Sequence, residues 1–315
     1  MIDYSICSRR EVALNVLSDV STDWDVFISA YNPSDRVQRV FAAVKAKRKL
    51  WLVQPEYGFD AAVLPAGAFV SGTRSEAEFW HDFDTFAGAG WLDGVVCIDT
   101  TGFMRPQLTF FVVWLLGAKR KQFVALYTDP THYAKQENTT FSKGPVIDVR
   151  QIAGCEGAHV PQASADCLII GMGYDDELVR RVAESKEDAR KIQMYGLPSL
   201  AADMYQESVL RSFKASEALG PWWDERCFAP ANDPFATANV LQERVRQEQA
   251  AHGLTNLYLS PVGTKPQVLG FALYFATERR GTPTSIVFPF TGGYEQETSK
   301  GIARTWIYNV EHLGS

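Results

Sequence analysis

The stretch Asp25-Val26-Phe27-Ile28-Ser29, continuing through Ser34-Asp35 to Arg39, has a counterpart in Asp166-Cys167-Leu168-Ile169-Ile170, which continues through Asp175-Asp176 to Arg180. Each begins with an aspartate, runs through an apolar strand, crosses a small polar loop and enters a helical pattern. Asp25, Ile28, Asp35 and Arg39 stand 141 residues before Asp166, Ile169, Asp176 and Arg180. Further on, Arg105-Pro106-Gln107-Leu108 is answered 160 residues later by Lys265-Pro266-Gln267-Val268, and Phe111 by Phe271. Two blocks in one order, at offsets that differ only by loop length, predict one structural unit present twice.

The fold expected is α/β, with two related Rossmann-like, doubly wound halves arising by internal duplication and a helical insertion in the second. Apolar strands are predicted at 25–30, 50–53, 95–99 and 123–127, and again at 166–170, 191–194, 256–260 and 285–290. Continuous apolar strands bounded by polar turns suit a sheet buried on both faces, and their alternation with helix-length segments points to β-α-β units. Residues 1–155 form the first half and 156–315 the second, with the boundary in Gly154 to Ser164. The insertion spans about 200–252. It holds a helix from Leu200 to Leu219, stopped by Gly220-Pro221, and a second from Phe235 to His252, opened by Asp233-Pro234 and closed by Gly253. The pair Trp222-Trp223 between them is a candidate protein interface.

The chain has 315 residues, enough to bury a core without staples. A net charge of −6 argues against a generic binder of duplex nucleic acid, which needs a basic surface. The five cysteines form no Cys-x-x-Cys pair, and Cys97 and Cys167 lie in apolar runs where cysteine acts as a small hydrophobe. This usage fits a reducing compartment. The longest apolar run, Leu108 to Ala118, is too short to span a bilayer, and residues 1–10 carry no signal-peptide pattern. The expectation is a cytoplasmic protein without membrane contact.

In such sheets ligands bind beyond the carboxyl ends of the strands, where backbone N–H groups and helix N-termini converge. The candidate ligand loops contain Tyr31, Asn32 and Ser34; Thr100, Thr101, Gly102 and Arg105; Ser260, Gly263, Thr264 and Lys265; and Thr291. Tyr31 could stack on a base and Asn32 could hydrogen-bond it, although Ser34 or Asp35 is equally a helix N-cap. Lys265 and Arg105 begin helices, a place the helix dipole disfavours for cations. An anion lying between the cation and the helix removes that conflict, so an anionic ligand such as a phosphate is expected.

Asp99, Asp129, His132 and Glu295 are the candidates for a catalytic base or nucleophile. Gly171-Met172-Gly173 matches only part of a dinucleotide fingerprint. His81 with Asp82 and Asp84 reads as an acidic turn, and Cys155 with His159 lacks an oxyanion signature. No P-loop, Gly-x-Ser-x-Gly elbow or His-Glu-x-x-His occurs, and neither a metal nor a cofactor is expected.

The opening Asp25 to Ser29 with Ser34-Asp35 resembles the first box of TIR domains over about ten residues, and the later TIR pattern is missing. A second resemblance is to CARF and SAVED domains, Rossmann-like sensors of oligonucleotide second messengers in prokaryotic antiviral defence. Gly263-Thr264-Lys265 is similar to the end of the CARF Thr-Gly-Gly-Thr-Lys turn, with Val262 where that family has glycine. Asp99-Thr100-Thr101-Gly102 is similar to its start, and Phe103-Met104 break the remainder. SAVED domains resemble two fused CARF units, which agrees with the repeat. The resemblance implies a cytoplasmic sensor of a phosphate-bearing nucleotide whose ligand loops face one composite cleft. Arg105 and Lys265 would neutralise phosphate, and a protein partner or homo-oligomer would carry the output. The alternative is an enzyme acting on a nucleotide or sugar-nucleotide, of glycosyltransferase, phosphodiesterase or NAD glycohydrolase type. A third reading is a scaffold that binds only proteins.

Overall fold

A computed structural model of the chain describes residues 2–118, 122–133, 142–161, 164–201, 204–222, 225–296 and 299–311. The strands are β1 (Ser8–Val12), β2 (Val26–Ala30), β3 (Arg48–Val53), β4 (Phe69–Val70), β5 (Val96–Asp99), β6 (Gln122–Asp129), β7 (His132–Tyr133), β8 (Ser142–Gln151), β9 (Cys167–Gly171), β10 (Arg190–Gly196), β11 (Arg226–Ala229), β12 (Leu257–Pro261), β13 (Thr284–Tyr294), β14 (Ser299–Lys300) and β15 (Arg304–Glu311). The helices are α1 (Leu17–Val20), α2 (Asp35–Ala43), α3 (Glu76–Ala87), α4 (Arg105–Gly117), α5 (Asp176–Glu184), α6 (Met204–Ser212), α7 (Ser216–Leu219), α8 (Pro234–His252) and α9 (Lys265–Tyr274).

The chain is an α/β protein with two mixed, mostly parallel sheets. The seven-stranded sheet runs β1-β15-β6-β5-β2-β3-β4 and the six-stranded sheet β11-β10-β9-β12-β13-β8. In the first, β2 pairs in parallel with β3 and β5, and β5 with β6, while β15 pairs antiparallel with β6 and β1. In the second, β9 pairs in parallel with β10 and β12, and β12 with β13. Each sheet therefore has the Rossmann-like order third-second-first-fourth-fifth. The first strand of each, β2 and β9, is buried over all five residues, as expected of a strand covered on both faces.

All eight predicted strands are present. The crossovers match as well: α2 and α5 follow the first strands, α4 and α9 the fourth. Helix α8, grouped with the insertion in the sequence reading, joins the third strand to the fourth as α3 does in the other sheet. Added helices lie instead between β10 and β11, where the stretch expected as one helix is broken into α6, a 3-10 turn at Phe213–Ala215 and α7. The corresponding crossover between β3 and β4 holds two 3-10 turns, Pro55–Tyr57 and Ala61–Val63.

Two compact units result, and neither is one stretch of chain. The first comprises Ser5–Gln107, Arg120–Phe141 and Gly293–Ser315. The second comprises Met1–Tyr4, Leu108–Lys119 and Ser142–Gly292, so Gly154 to Ser164 lies inside it. Phe27, Val40, Cys97, Leu126 and Ile307 join Trp24 and Leu17 in a buried core of the first. Ile169, Leu178, Ile192, Leu241, Leu259 and Phe271 are among the buried side chains of the second. No helix among the described residues is long and apolar enough to cross a membrane.

At the switch point of each sheet, where chain direction away from the first strand reverses, a glycine lets two loops close. A Cβ on Gly102, after β5, would overlap the carbonyl oxygen of Ala30 at the end of β2. A Cβ on Gly173, after β9, would overlap the carbonyl oxygen of Val262 after β12. Close backbone approach thus explains the Gly171-Met172-Gly173 turn. Gly102→Ala and Gly173→Ala are each expected to lower the unfolding free energy by about 1–3 kcal/mol, since the backbone must shift to admit a methyl group. Chemical denaturation checks this, and unchanged midpoints contradict the close approach.

Candidate functional site

In the first unit the carboxyl ends of β3, β2, β5 and β6 carry a connected set of buried polar groups. Asp99 ends β5 fully enclosed. Its Oδ2 accepts from Ser29 Oγ at 2.9 Å and its Oδ1 from Thr101 N at 3.0 Å. Burial raises its pKa above the ordinary carboxylate value, against the opposing hydrogen bonds of Thr101 and Ser29 and the charge of Arg36. Thr100 Oγ1 donates to the Leu126 carbonyl, 2.9 Å, and Thr101 Oγ1 accepts from Thr128 N, 3.1 Å. Asp129, also buried, accepts through Oδ2 from Trp306 Nε1 at 3.0 Å and lies 3.2 Å from Arg304 Nη2. Burial again raises its pKa, with Trp306, Arg304 and Arg36 acting against the rise.

Arg36 belongs with these groups, although the sequence reading did not single it out. It is the second residue of α2, and its guanidinium is buried at the sheet end. Nη1 donates to the Thr128 carbonyl at 2.8 Å, a neutral acceptor. Its Nε is enclosed without a hydrogen-bond partner among the described residues, as are Gln54 Nε2 and Asp129 Oδ1. Gln54, which follows β3, accepts from Met104 N through Oε1 at 2.7 Å. Leaving a buried polar atom unmet costs about 1–3 kcal/mol. Such a site is completed by water or by the polar atoms of a ligand. Tyr57 closes the set: its hydroxyl donates to the Gly102 carbonyl, 3.0 Å, and burial pushes its pKa up to about 12, against the charges of Arg105 and Arg36.

The remaining candidates of this unit divide into enclosed and committed groups. Arg105, the first residue of α4, is buried. Tyr31 packs edge-on against Trp51 and Phe59 and donates to the Val63 carbonyl at 2.8 Å, so its ring and hydroxyl serve the core. Asn32 shapes its own loop, donating through Nδ2 to the Gln296 carbonyl and accepting from Ser34 N, both at 3.0 Å. Ser34 is the N-cap of α2 without a side-chain capping bond. His132 is exposed in β7 opposite Lys300, and Glu295 is half-buried after β13.

In the second unit the loop after β12 is built as a helix cap. Thr264 is the N-cap of α9 in a capping box with Gln267, and its hydroxyl also donates to the Ala231 carbonyl at 2.5 Å. Gly263 makes room for the Gln267 side chain, whose Oε1 a Cβ would meet at 2.5 Å. Lys265 is half-buried at the first position of α9. Ser260 Oγ and Gln267 Nε2 are enclosed without partners among the described residues. Thr291 is buried within β13.

Other motifs resolve structurally. His159 faces Asn256 Oδ1 at 3.1 Å and Ser285 Oγ at 3.0 Å rather than forming a pair with Cys155, and its ring stacks on Tyr258. Ser285 is fully buried, so this contact fastens a loop to the sheet. His81, Asp82 and Asp84 lie within α3, with Asp82 bonded to Ser71 and Asp84 to Trp91. No group of three or more metal-ligating side chains occurs among the described residues. Trp223 lies outside the described residues.

Neither a protein-family model nor a curated protein sequence matches the chain.

The raised pKa of Asp99 fixes a pH dependence. The folded state holds that proton more tightly than the unfolded chain, so the contribution of Asp99 to stability falls as pH rises from its ordinary value of 3.8 through the raised one. The unfolding free energy of the native protein minus that of Asp99→Asn is expected to decline over this interval and then level. Urea titrations at stepped pH measure it, and a difference that stays constant or grows contradicts the assignment.

Proposed function

We propose that the chain is a binding module for a phosphate-bearing nucleotide, a cytoplasmic sensor of the tandem Rossmann-like kind to which CARF and SAVED domains belong. One observation carries the reading: the enclosed Arg36 guanidinium, bonded to a neutral carbonyl and with Nε unmet, at the carboxyl end of a parallel sheet. A guanidinium presents five donors in a planar fork that matches phosphate oxygens. Arg105 adds a second buried cation in the same unit, and Lys265 begins the corresponding helix of the other. Gln54 Nε2 would meet a neutral acceptor on the ligand. A role in antiviral defence follows only from the resemblance to those domains, and the output would belong to a protein partner or to an oligomer.

A second reading, an enzyme using the same loops, is favoured by Asp129. Its carboxylate is held by Trp306 and Arg304, has one enclosed oxygen unmet, and has its pKa raised by burial. These are the properties of a positioned general base.

A thermal-shift screen with mononucleotides, cyclic and linear oligonucleotides, NAD and sugar nucleotides tests both. A ligand at ~100-fold its dissociation constant stabilises the native state by about 2.7 kcal/mol. The sensor reading expects stabilisation by a ligand recovered unchanged and lost in Arg36→Gln. Arg105→Gln is the informative variant at that position, because Arg105→Glu would bury an unpaired carboxylate. Turnover abolished by Asp129→Asn establishes the enzyme instead, and an equal response in native protein and Arg36→Gln removes the basis for the anion site.

A further inference from the structure

Helix α6 is built inside out. A surface helix normally turns its apolar stripe to the core, and α8 does so with Phe235, Ala238, Leu241 and Val245. In α6 the buried residues are Ser208, Arg211 and Ser212, while Leu210 is 62% exposed and Phe213, just beyond the helix, 50%. The buried face meets the loop after β9. Ser208 Oγ donates to the Gly173 carbonyl at 3.4 Å and Arg211 Nη1 to the Tyr174 carbonyl at 2.6 Å. The Arg211 guanidinium also lies over the Tyr174 ring, 5.1 Å from its centroid, and its Nε donates to Glu207 at 2.7 Å. This loop borders the switch point of the second sheet, since Gly173 closes on the Val262 carbonyl.

We propose that α6 is a lid over the carboxyl-end loops of the second unit, latched by Arg211 and opened to admit a polar ligand. Two features argue for this. The contact is made of hydrogen bonds to main-chain carbonyls, which water or a ligand can replace with little net change. The apolar anchoring of the helix is slight, the edge-on packing of the half-buried Tyr205 on Tyr195 and Phe228, so α6 belongs with the segments that open locally ahead of global unfolding. The helix occurs only in this unit, on the second-to-third crossover, where the first unit has short 3-10 turns. The lid's ligand is a phosphate-bearing nucleotide held at the second unit's own loops beside Lys265, and that part of the inference rests on the nucleotide reading of the proposed function.

Hydrogen–deuterium exchange on the full chain tests the lid. Without ligand, the amides of α6 are expected to exchange at least tenfold faster than those of α8 and α9. Arg211→Met is expected to speed α6 a further severalfold while α8 and α9 are unchanged, with Arg211→Lys in between. Exchange in α6 as slow as in α8 overturns the lid, and so does an Arg211→Met variant with unaltered α6 exchange. ATP serves as the nucleotide probe, with its binding followed independently by calorimetry. Bound ATP that slows α6 exchange supports a lid over the nucleotide, and bound ATP that leaves it unchanged overturns that role. Failure of every nucleotide in the panel to bind would instead count against the nucleotide reading, while the ligand-free exchange still decides the lid.

Discussion

The carboxyl end of a parallel sheet is the constraint on which each unit depends. Strands that enter from one side all deliver carbonyl groups, loop backbone and helix N-termini to the other, and that end must be closed while its polar groups stay satisfied. Gly102 and Gly173 allow the closure by letting one loop touch the carbonyl of another. Thr100, Thr101 and Thr264 supply the hydroxyl bonds that accompany it. Side chains that resemble ligand groups by type are here largely structural, and that distinction separates the two units.

In the first unit the closure is incomplete in a chemically specific way. Asp99 and Asp129 are enclosed, and Arg36 sits close enough for its charge to act on both. The cation is bonded to the Thr128 carbonyl, leaving Nε, Gln54 Nε2 and Asp129 Oδ1 unmet. In the second unit the corresponding loop is a completed capping box, and the unmet groups beside it are the neutral Ser260 Oγ and Gln267 Nε2. The repeat keeps the frame and changes the polarity of the loop that closes it.

The central strands were legible because each is a continuous apolar run, the mark of burial on both faces. The edge strands were not. Strand β8 reads Ser-Lys-Gly-Pro-Val-Ile-Asp-Val-Arg-Gln, which alternates poorly, and β4 has two residues. Nothing local tells that β15, at the far end of the chain, returns to the first sheet. The repeat around Asp25 and Asp166 located both sets of carboxyl-end loops, but Tyr31 is committed to packing by partners well away in sequence, while Thr264 caps α9 with Gln267, a local signal that the reading passed over. Arg36 was missed because its acceptor, the Thr128 carbonyl, is likewise distant in sequence. On an amphipathic helix it reads as a solvated residue, and only tertiary placement buries it. The signal that could have found it is the one that selected Arg105 and Lys265: a cation in the first turn of a helix, where the dipole opposes it.

Nitrogen-15 NMR of the arginine side chains tests the central claim most directly, because it observes Arg36 Nε–H itself. As a bound nucleotide is titrated in, the account predicts a downfield shift of that proton and slowed exchange with water, both missing in Arg36→Gln. A nucleotide that binds tightly while the Arg36 Nε–H signal stays unmoved would contradict it.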